Sequence, residues 1–339
     1  MNLVIGATGI LGSHVVLKLL QNNEPVIASK QRTSDLKKVE KLFSYYCPNP
    51  KELFEKIKWV DVDVTDIYSI EEAMNGVTAV YNCSGFVSFN KRDRKKIFLI
   101  NEIGAANVVN ACLHKKIDAL CHVSSIATVN NSDYTLPLNE SVFWKSSGKE
   151  SDYAISKYNG EREVWRGIEE GLNAVIVNPG VILSSGFWNQ SSSKLFDVCY
   201  KGNRFYTTGI AGYIAGDDVA ACMLHLVKQR LFNNRYILIE NNYSFKEILD
   251  KIQSQLKKQK PTIHAGENML GFARMLDAFV CAFSNKERRI TKPVIYAALN
   301  KQSFSNNKIK ASFQIPFMPV NQVIEKVCAD YLADRTAHF

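Results

Sequence analysis

Val4-Ile5-Gly6-Ala7-Thr8-Gly9-Ile10-Leu11-Gly12, written VIGATGILG, joins an apolar run to an amphipathic one. Asn2-Leu3-Val4-Ile5 reads as a buried strand, and residues 11–22 carry a helical pattern. Glycines at 6, 9 and 12 stand in between. Their missing Cβ atoms permit a tight turn and let backbone N–H groups approach a pyrophosphate at the helix N-terminus. Three glycines alone would mark no more than a turn. Placed after a strand and before a helix, they point to a dinucleotide held by Gly6, Thr8, Gly9, Ile10, Leu11 and Gly12.

Outward from this loop, short β-branched runs alternate with longer helical patterns. Strands are predicted at 2–5, 26–30, 58–62, 79–83, 119–124 and 174–178, with helices around 11–22, 50–57, 69–74, 98–115 and 152–170. That alternation predicts an α/β fold, a doubly wound parallel sheet of the Rossmann kind. After Asn178-Pro179-Gly180 the rhythm breaks into a Gly/Ser/aromatic stretch, followed by a helix from Asp218, a strand at 236–239 and a mostly helical remainder. The expected division is a dinucleotide-binding core of 1–181 and 213–241, with a smaller substrate-binding region of 182–212 and 242–339.

The cofactor's identity turns on the end of the second strand, where an acid would bind a ribose 2′-hydroxyl. The sequence there is Ser29-Lys30-Gln31-Arg32-Thr33-Ser34, with no acid before Asp35. Lys30, Gln31 and Arg32 favour the 2′-phosphate of NADP over NAD, because Arg32 offers a bidentate fork; the plainer reading is two bases covering a strand end. After the third strand, Asp63 is either a contact to the adenine amine or a turn former, and Val64 lies beside it. Cys83 and Ser84, at the end of the fourth strand, join the candidate cofactor contacts.

Tyr153 and Lys157 stand at i and i+4 on one helix face. A free phenol, with a pKa of about 10, is a poor proton shuttle at neutral pH, and a neighbouring ammonium favours its ionised form. The fifth strand ends in Ser124-Ser125, so Ser125 can share a substrate carbonyl oxygen with Tyr153 at the carboxyl edge of the sheet. Phe86, Phe89, Trp144, Phe187, Trp188, Phe205 and Tyr206 fall in segments that border the crevice, as core or as pocket wall.

Together these residues make the chain resemble an extended short-chain dehydrogenase/reductase, in particular the dihydroflavonol 4-reductase-like branch. The likeness is carried by Gly6–Gly12, Ser124–Asn130, Asn139–Trp144 and the Tyr153/Lys157 pair. It implies reduction of a carbonyl by NADPH, with Tyr153 as proton donor, Ser125 holding the oxygen and Lys157 binding the nicotinamide ribose. It also implies that Asn101 is the family's structural and proton-relay asparagine, that Asn130 contacts substrate, and that Pro179, Gly180 and Val181 receive the carboxamide. Dimerisation through helices 98–115 and 152–170 is a further implication. Val129-Asn130-Asn131 replaces the Val-Tyr-Gly usual in nucleotide-sugar enzymes, and Tyr213–Ala220 lacks an arginine common in related chains.

The chain of 339 residues is 46% hydrophobic and carries a net charge of +9. The densest basic run, Asn90–Lys96, reads as a solvated surface rather than a nucleic-acid stripe. Eight cysteines without a C-x-x-C pair, and no leader before the first strand, give a cytoplasmic expectation. The six histidines show no metal spacing, and no transmembrane segment is expected. Asn268–Phe283 reads as an amphipathic helix, covering a pocket or lying on a membrane surface. The expected activity is NADPH-dependent reduction of an apolar or aromatic ketone or aldehyde. The alternatives are a nucleotide-sugar epimerase or dehydratase with retained NAD, and a redox sensor without catalysis.

Overall fold

A computed structural model describes residues 1–131, 137–282 and 290–336. In chain order the strands are β1 (Asn2–Ile5), β2 (Val26–Lys30), β3 (Lys58–Asp61), β4 (Ala79–Asn82), β5 (Ala119–Val123), β6 (Ala174–Pro179), β7 (Val181–Leu183), β8 (Phe205–Tyr206), β9 (Ile210–Ala215), β10 (Asn234–Leu238), β11 (Asn241–Ser244) and β12 (Ile263–His264). Seven of them form one parallel sheet in the order β10-β6-β5-β4-β1-β2-β3. The fold is a Rossmann-type doubly wound sheet, as the alternation of patterns predicts.

Strands β1, β4 and β6 are buried along their whole length, which is why they read as unbroken apolar runs. One face of the sheet is covered by helices Ile10–Gln21, Lys37–Tyr46 and Gly216–Lys228, whose Val15, Leu19, Phe43 and Met223 join a single core. The other face is covered by Ile67–Ala73, Gly104–His114 and Asp152–Glu169, through Ile70, Val108 and Val164. Helix Lys37–Tyr46 is absent from the sequence reading. Its buried Val39, Leu42 and Phe43 have the i, i+3, i+4 spacing, set among lysines and Glu40.

The pattern at 98–115 is longer than expected and irregular. Helix begins at Arg94, passes through a π turn at Leu99–Ile103 and resumes over Gly104–His114. Among the described residues the stretch Lys91–His114 is long and apolar enough to cross a membrane by length and composition alone, as the core helix of a folded domain can be, and no clear membrane span is present. Here Gly104–His114 lies against helices Ile67–Ala73 and Asp152–Glu169 inside the fold.

At Gly180 the chain leaves the main sheet. β7 pairs in parallel with β9, and β11 pairs antiparallel with β9, in a separate three-stranded sheet. A third core unites Leu183, Phe196, Tyr213, Ile248, Ile324 and Tyr331, so helices Lys194–Tyr200, Phe245–Gln255 and Val320–Thr336 close over this sheet. All eight cysteines are free.

Candidate active site

β1 has β2 on one side and β4 on the other, so the chain reverses direction of winding beside it and opens a crevice at the strands' carboxyl ends. Gly6 follows β1 with φ of 77°, a left-handed conformation that favours glycine. A Cβ on Gly6 would lie 2.7 Å from the Ser84 nitrogen, and one on Gly12 would lie 2.2 Å from the Gly6 carbonyl oxygen. Side chains here would fill the cradle. Helix Ile10–Gln21 starts at Gly9 with no side-chain cap and no acid in its first turn, leaving its positive end for an anion. The donor set therefore fits a dinucleotide pyrophosphate.

The ribose end of the cradle is built by Ser29, whose hydroxyl accepts from the Gly6 N–H at 2.9 Å. Ser34 folds back over it, 3.3 Å from the Thr8 hydroxyl and accepting from the Gln31 N–H at 3.0 Å. Lys30 pairs with Asp61 at 2.5 Å, an acid supplied by the neighbouring strand. Arg32 is exposed and has no ion pair among the described residues. Asp63 forms a turn, one oxygen accepting from both the N–H and the hydroxyl of Thr65. The Val64 carbonyl accepts from Asn107 at 2.9 Å.

Between the cradle and the catalytic set lies the end of β4. Asn82 accepts from the Ser84 N–H and hydroxyl and meets the buried His122 ring at 3.1 Å. The Cys83 N–H donates to the Ile5 carbonyl, and burial lifts the Cys83 thiol to about 12. Asn101 lies in the π turn and is almost wholly buried. Its amide clamps Phe86, accepting from that N–H at 2.8 Å and donating to that carbonyl at 3.0 Å, and donates also to Ser156. The clamp uses the side chain, which positions Phe86; no hydrogen bond joins it to Lys157.

Ser151 caps helix Asp152–Glu169 by accepting from the Ala154 N–H. That start puts Tyr153 and Lys157 on the face toward β5. The Lys157 ammonium donates to the Val123 carbonyl at 2.6 Å, and burial lowers it to about 8 against the opposing pull of Glu161 and Cys83. Burial raises the Tyr153 phenol, and a hydrogen bond with the Ser125 side chain pulls it down. Ser125, Tyr153 and Lys157 are thus brought together. Phe89 meets Tyr153 edge-on at 6.3 Å, and the Lys96 ammonium lies 4.5 Å from the Phe86 ring centre.

The other sequence candidates have partners of their own. Asn130 donates to Glu150 and accepts from Gln302, both at 2.9 Å. Trp188 is held in an aromatic cluster by Tyr331 and donates to Asp334, while Phe187 is buried in the main core. Trp144 stacks on Tyr158, and Tyr206 sits on β8 beside His264 and Lys246. Pro179, Gly180 and Val181 mark the passage between the two sheets, Pro179 in register with Leu238 and Val181 with Tyr213.

This geometry has relatives. The model of the NAD dependent epimerase/dehydratase family matches residues 2–236. The chain belongs to that family. It is 26% identical to sterol demethylase protein B of Methylococcus capsulatus over 267 residues, 77% of this chain and 76% of that one. It is also 26% identical to tetraketide alpha-pyrone reductase 2 of Arabidopsis thaliana (75% and 82% covered) and 23% identical to dihydroflavonol 4-reductase of Callistephus chinensis (84% and 79%). In three dimensions it is similar to the crystal structure of gox2253, with a TM-score of 0.81, 21% identity and 98% of both chains covered. As the resemblance implied, this member of the epimerase/dehydratase family is an extended short-chain dehydrogenase/reductase, an NAD(P)-dependent oxidoreductase.

One residue of this member escaped the sequence reading. Glu161, one turn beyond Lys157, is buried, yet accepts from Ser124 at 2.7 Å, Thr128 at 2.8 Å, Asn178 at 2.9 Å and Arg235 at 3.1 Å. Arg235 in turn donates to the Glu140 and Val142 carbonyls. The carboxylate thereby fixes the turn Ser125–Thr128 that presents the Ser125 hydroxyl. The signal was available: the Tyr153/Lys157 face continues to 161, where an acid would have to be paired.

Proposed function

We propose that this oxidoreductase uses NADPH to reduce an apolar or aromatic ketone or aldehyde. The observation that supports it best is the convergence of Ser125, Tyr153 and Lys157 beside Phe86 and Phe89. A bound nicotinamide cofactor would supply the hydride. Ser125 would hold the substrate oxygen, Tyr153 would give its proton to the alkoxide formed on the substrate, and Lys157 would favour the tyrosinate left behind. The uncapped start of helix Ile10–Gln21 would bind the pyrophosphate, and the region of 182–212 and 242–339 would carry the substrate contacts. Arg32, with no acid partner among the described residues, supports NADP. The eight free thiols fit a cytoplasmic location, and exposed Leu99 and Ile103, one turn apart, fit a homodimer through their helix.

A second reading keeps NAD bound throughout turnover, as an epimerase or dehydratase would; the pairing of Lys30 with Asp61 favours it by removing one positive charge from the ribose end. The test is cofactor oxidation with a panel of aryl and alicyclic ketones. Net NADPH consumption, with Arg32→Ala lowering the NADPH-over-NADH preference about tenfold, is expected. Tightly retained NAD with no net consumption would replace the first reading by the second.

A further inference from the structure

Helix Glu267–Ala282 is turned inside out. Met269, Phe272, Met275, Leu276 and Val280 are each between 43% and 65% exposed. At 3.6 residues per turn they share an arc of roughly 140°. Arg274 and Asp277, the charges that would normally face water, are half-buried and engaged, Asp277 accepting from the Ile290 N–H at 3.1 Å. A surface helix in water has the opposite arrangement. The apolar surface continues onto the strand pair just before it, where Phe205 and Ile263 are register partners and both exposed.

The surroundings of this face are basic. Arg204, next to Phe205, is exposed, as are Lys257, Lys258 and Lys260 before β12 and Lys292 after the helix. Against these stands Glu267, in the first turn of the helix. We propose that this face docks the protein on an anionic lipid surface, the apolar arc entering the boundary between headgroups and acyl chains and the basic rim meeting the headgroups. The charge selects this occupant over a second copy of the chain. A symmetric self-contact would bring two basic rims together, whereas anionic lipid neutralises one. The helix lies against Lys292–Leu299, and Tyr296 there faces the Lys149 ammonium at 5.9 Å, four residues before Tyr153. Docking would therefore bring the mouth of the crevice to the lipid.

The proposal does not depend on the substrate, and its test needs no turnover. The full chain is sedimented with vesicles of phosphatidylcholine alone and with vesicles that also contain phosphatidylserine, at low and high salt, while its oligomeric state is measured without lipid. Binding to the anionic vesicles that weakens with salt is expected, with Phe272→Glu/Met275→Glu lowering it at least tenfold. Lys257→Gln/Lys260→Gln, on an exposed turn that does not endanger folding, is expected to lower it about tenfold as well. Absence of binding to anionic vesicles would overturn the proposal, as would binding that both variants leave unchanged. A dimer that Phe272→Glu/Met275→Glu dissociates, in a protein that ignores vesicles, would assign the face to a second copy instead.

Discussion

The loop after β1 and the turn after β5 stand at the same edge of the same parallel sheet, with β4 between them. In the loop at 6–12, the site is made by what is missing: Cβ atoms that would strike Ser84 and Gly6, and a helix cap that would occupy the first N–H groups. In the turn at 125–128, everything is occupied. Ser125 accepts from Ala127, the Thr128 hydroxyl lies 2.8 Å from both the Ser125 carbonyl and Glu161, and Glu161 gathers five donor groups beneath them, Trp165 the farthest at 3.5 Å. The glycine loop is left open, and the support under Ser125 is buried and paired. The first can lose a little shape and keep its fold. The second couples chemistry to stability.

The most severe challenge to this contrast is Tyr153→Phe. It removes one oxygen and no support, so the reduction rate should fall roughly 10²- to 10⁴-fold while NADPH binding, followed by its fluorescence, stays within about twofold. A surviving rate would move the acid elsewhere. Next is Glu161→Ala, which leaves Arg235 and two hydroxyls buried without their acceptor. A loss of about 3–5 kcal/mol in urea unfolding is expected. Glu161→Met/Arg235→Met should recover much of that stability but little activity, since Ser125 stays unanchored; recovery of both would reduce Glu161 to packing.

Acid tests the rest of the buried polar interior. Burial holds His14 down to about 4, with Ser184 on its Nε2 at 2.8 Å, and burial lowers His122 in the same direction. Because the unfolded imidazole titrates near 6.5, the unfolded chain takes up more protons between pH 6.5 and 4. Stability is therefore full above 6.5 and falls as pH drops through this window, by about 3 kcal/mol from His14 alone. Denaturation curves at pH 7 and 4.5 should show the loss, and His14→Gln should flatten it. The gentlest change is Gly9→Ala. Its Cβ would meet only the Gly6 oxygen, at 3.4 Å, so stability should change by no more than about 0.5 kcal/mol while cofactor affinity falls about tenfold. A reversed order, with Gly9→Ala hurting the fold more than Glu161→Ala, would break the comparison.

The same contrast decides what can be read from one dimension. The glycine loop is legible because no other residue takes φ of 77° against a neighbouring backbone, and β1, β2, β4, β5 and β6 because strands buried on both faces leave apolar runs. Tyr153 and Lys157 are legible because four residues on a helix is a local distance. Glu161 and Arg235 are 74 residues apart, and nothing near either one announces the other. The pairing of Lys30 with Asp61 is hidden in the same way, since it depends on β3 lying beside β2. β8 and β12 have two residues each, too few for any period, and the crevice aromatics divide only when the chain is folded: Phe89 beside Tyr153, Phe187 in the core. The smaller sheet depends on Gly180 handing the chain from one partner strand to another, which no pattern of hydrophobicity records.

The π turn at Leu99–Ile103 makes the length of its helix a counted quantity. A π turn is in effect one surplus residue wound into an α-helix. Removing one residue between 99 and 103 would let this turn rewind as regular helix while the helix on either side keeps its facing. Asn101 lies inside the turn that would be rewound, so its side chain would be taken away from Phe86 and Ser156. A one-residue gap among related chains would therefore be silent in most surface loops of this molecule, but at this point it would mark a change of active-site wall.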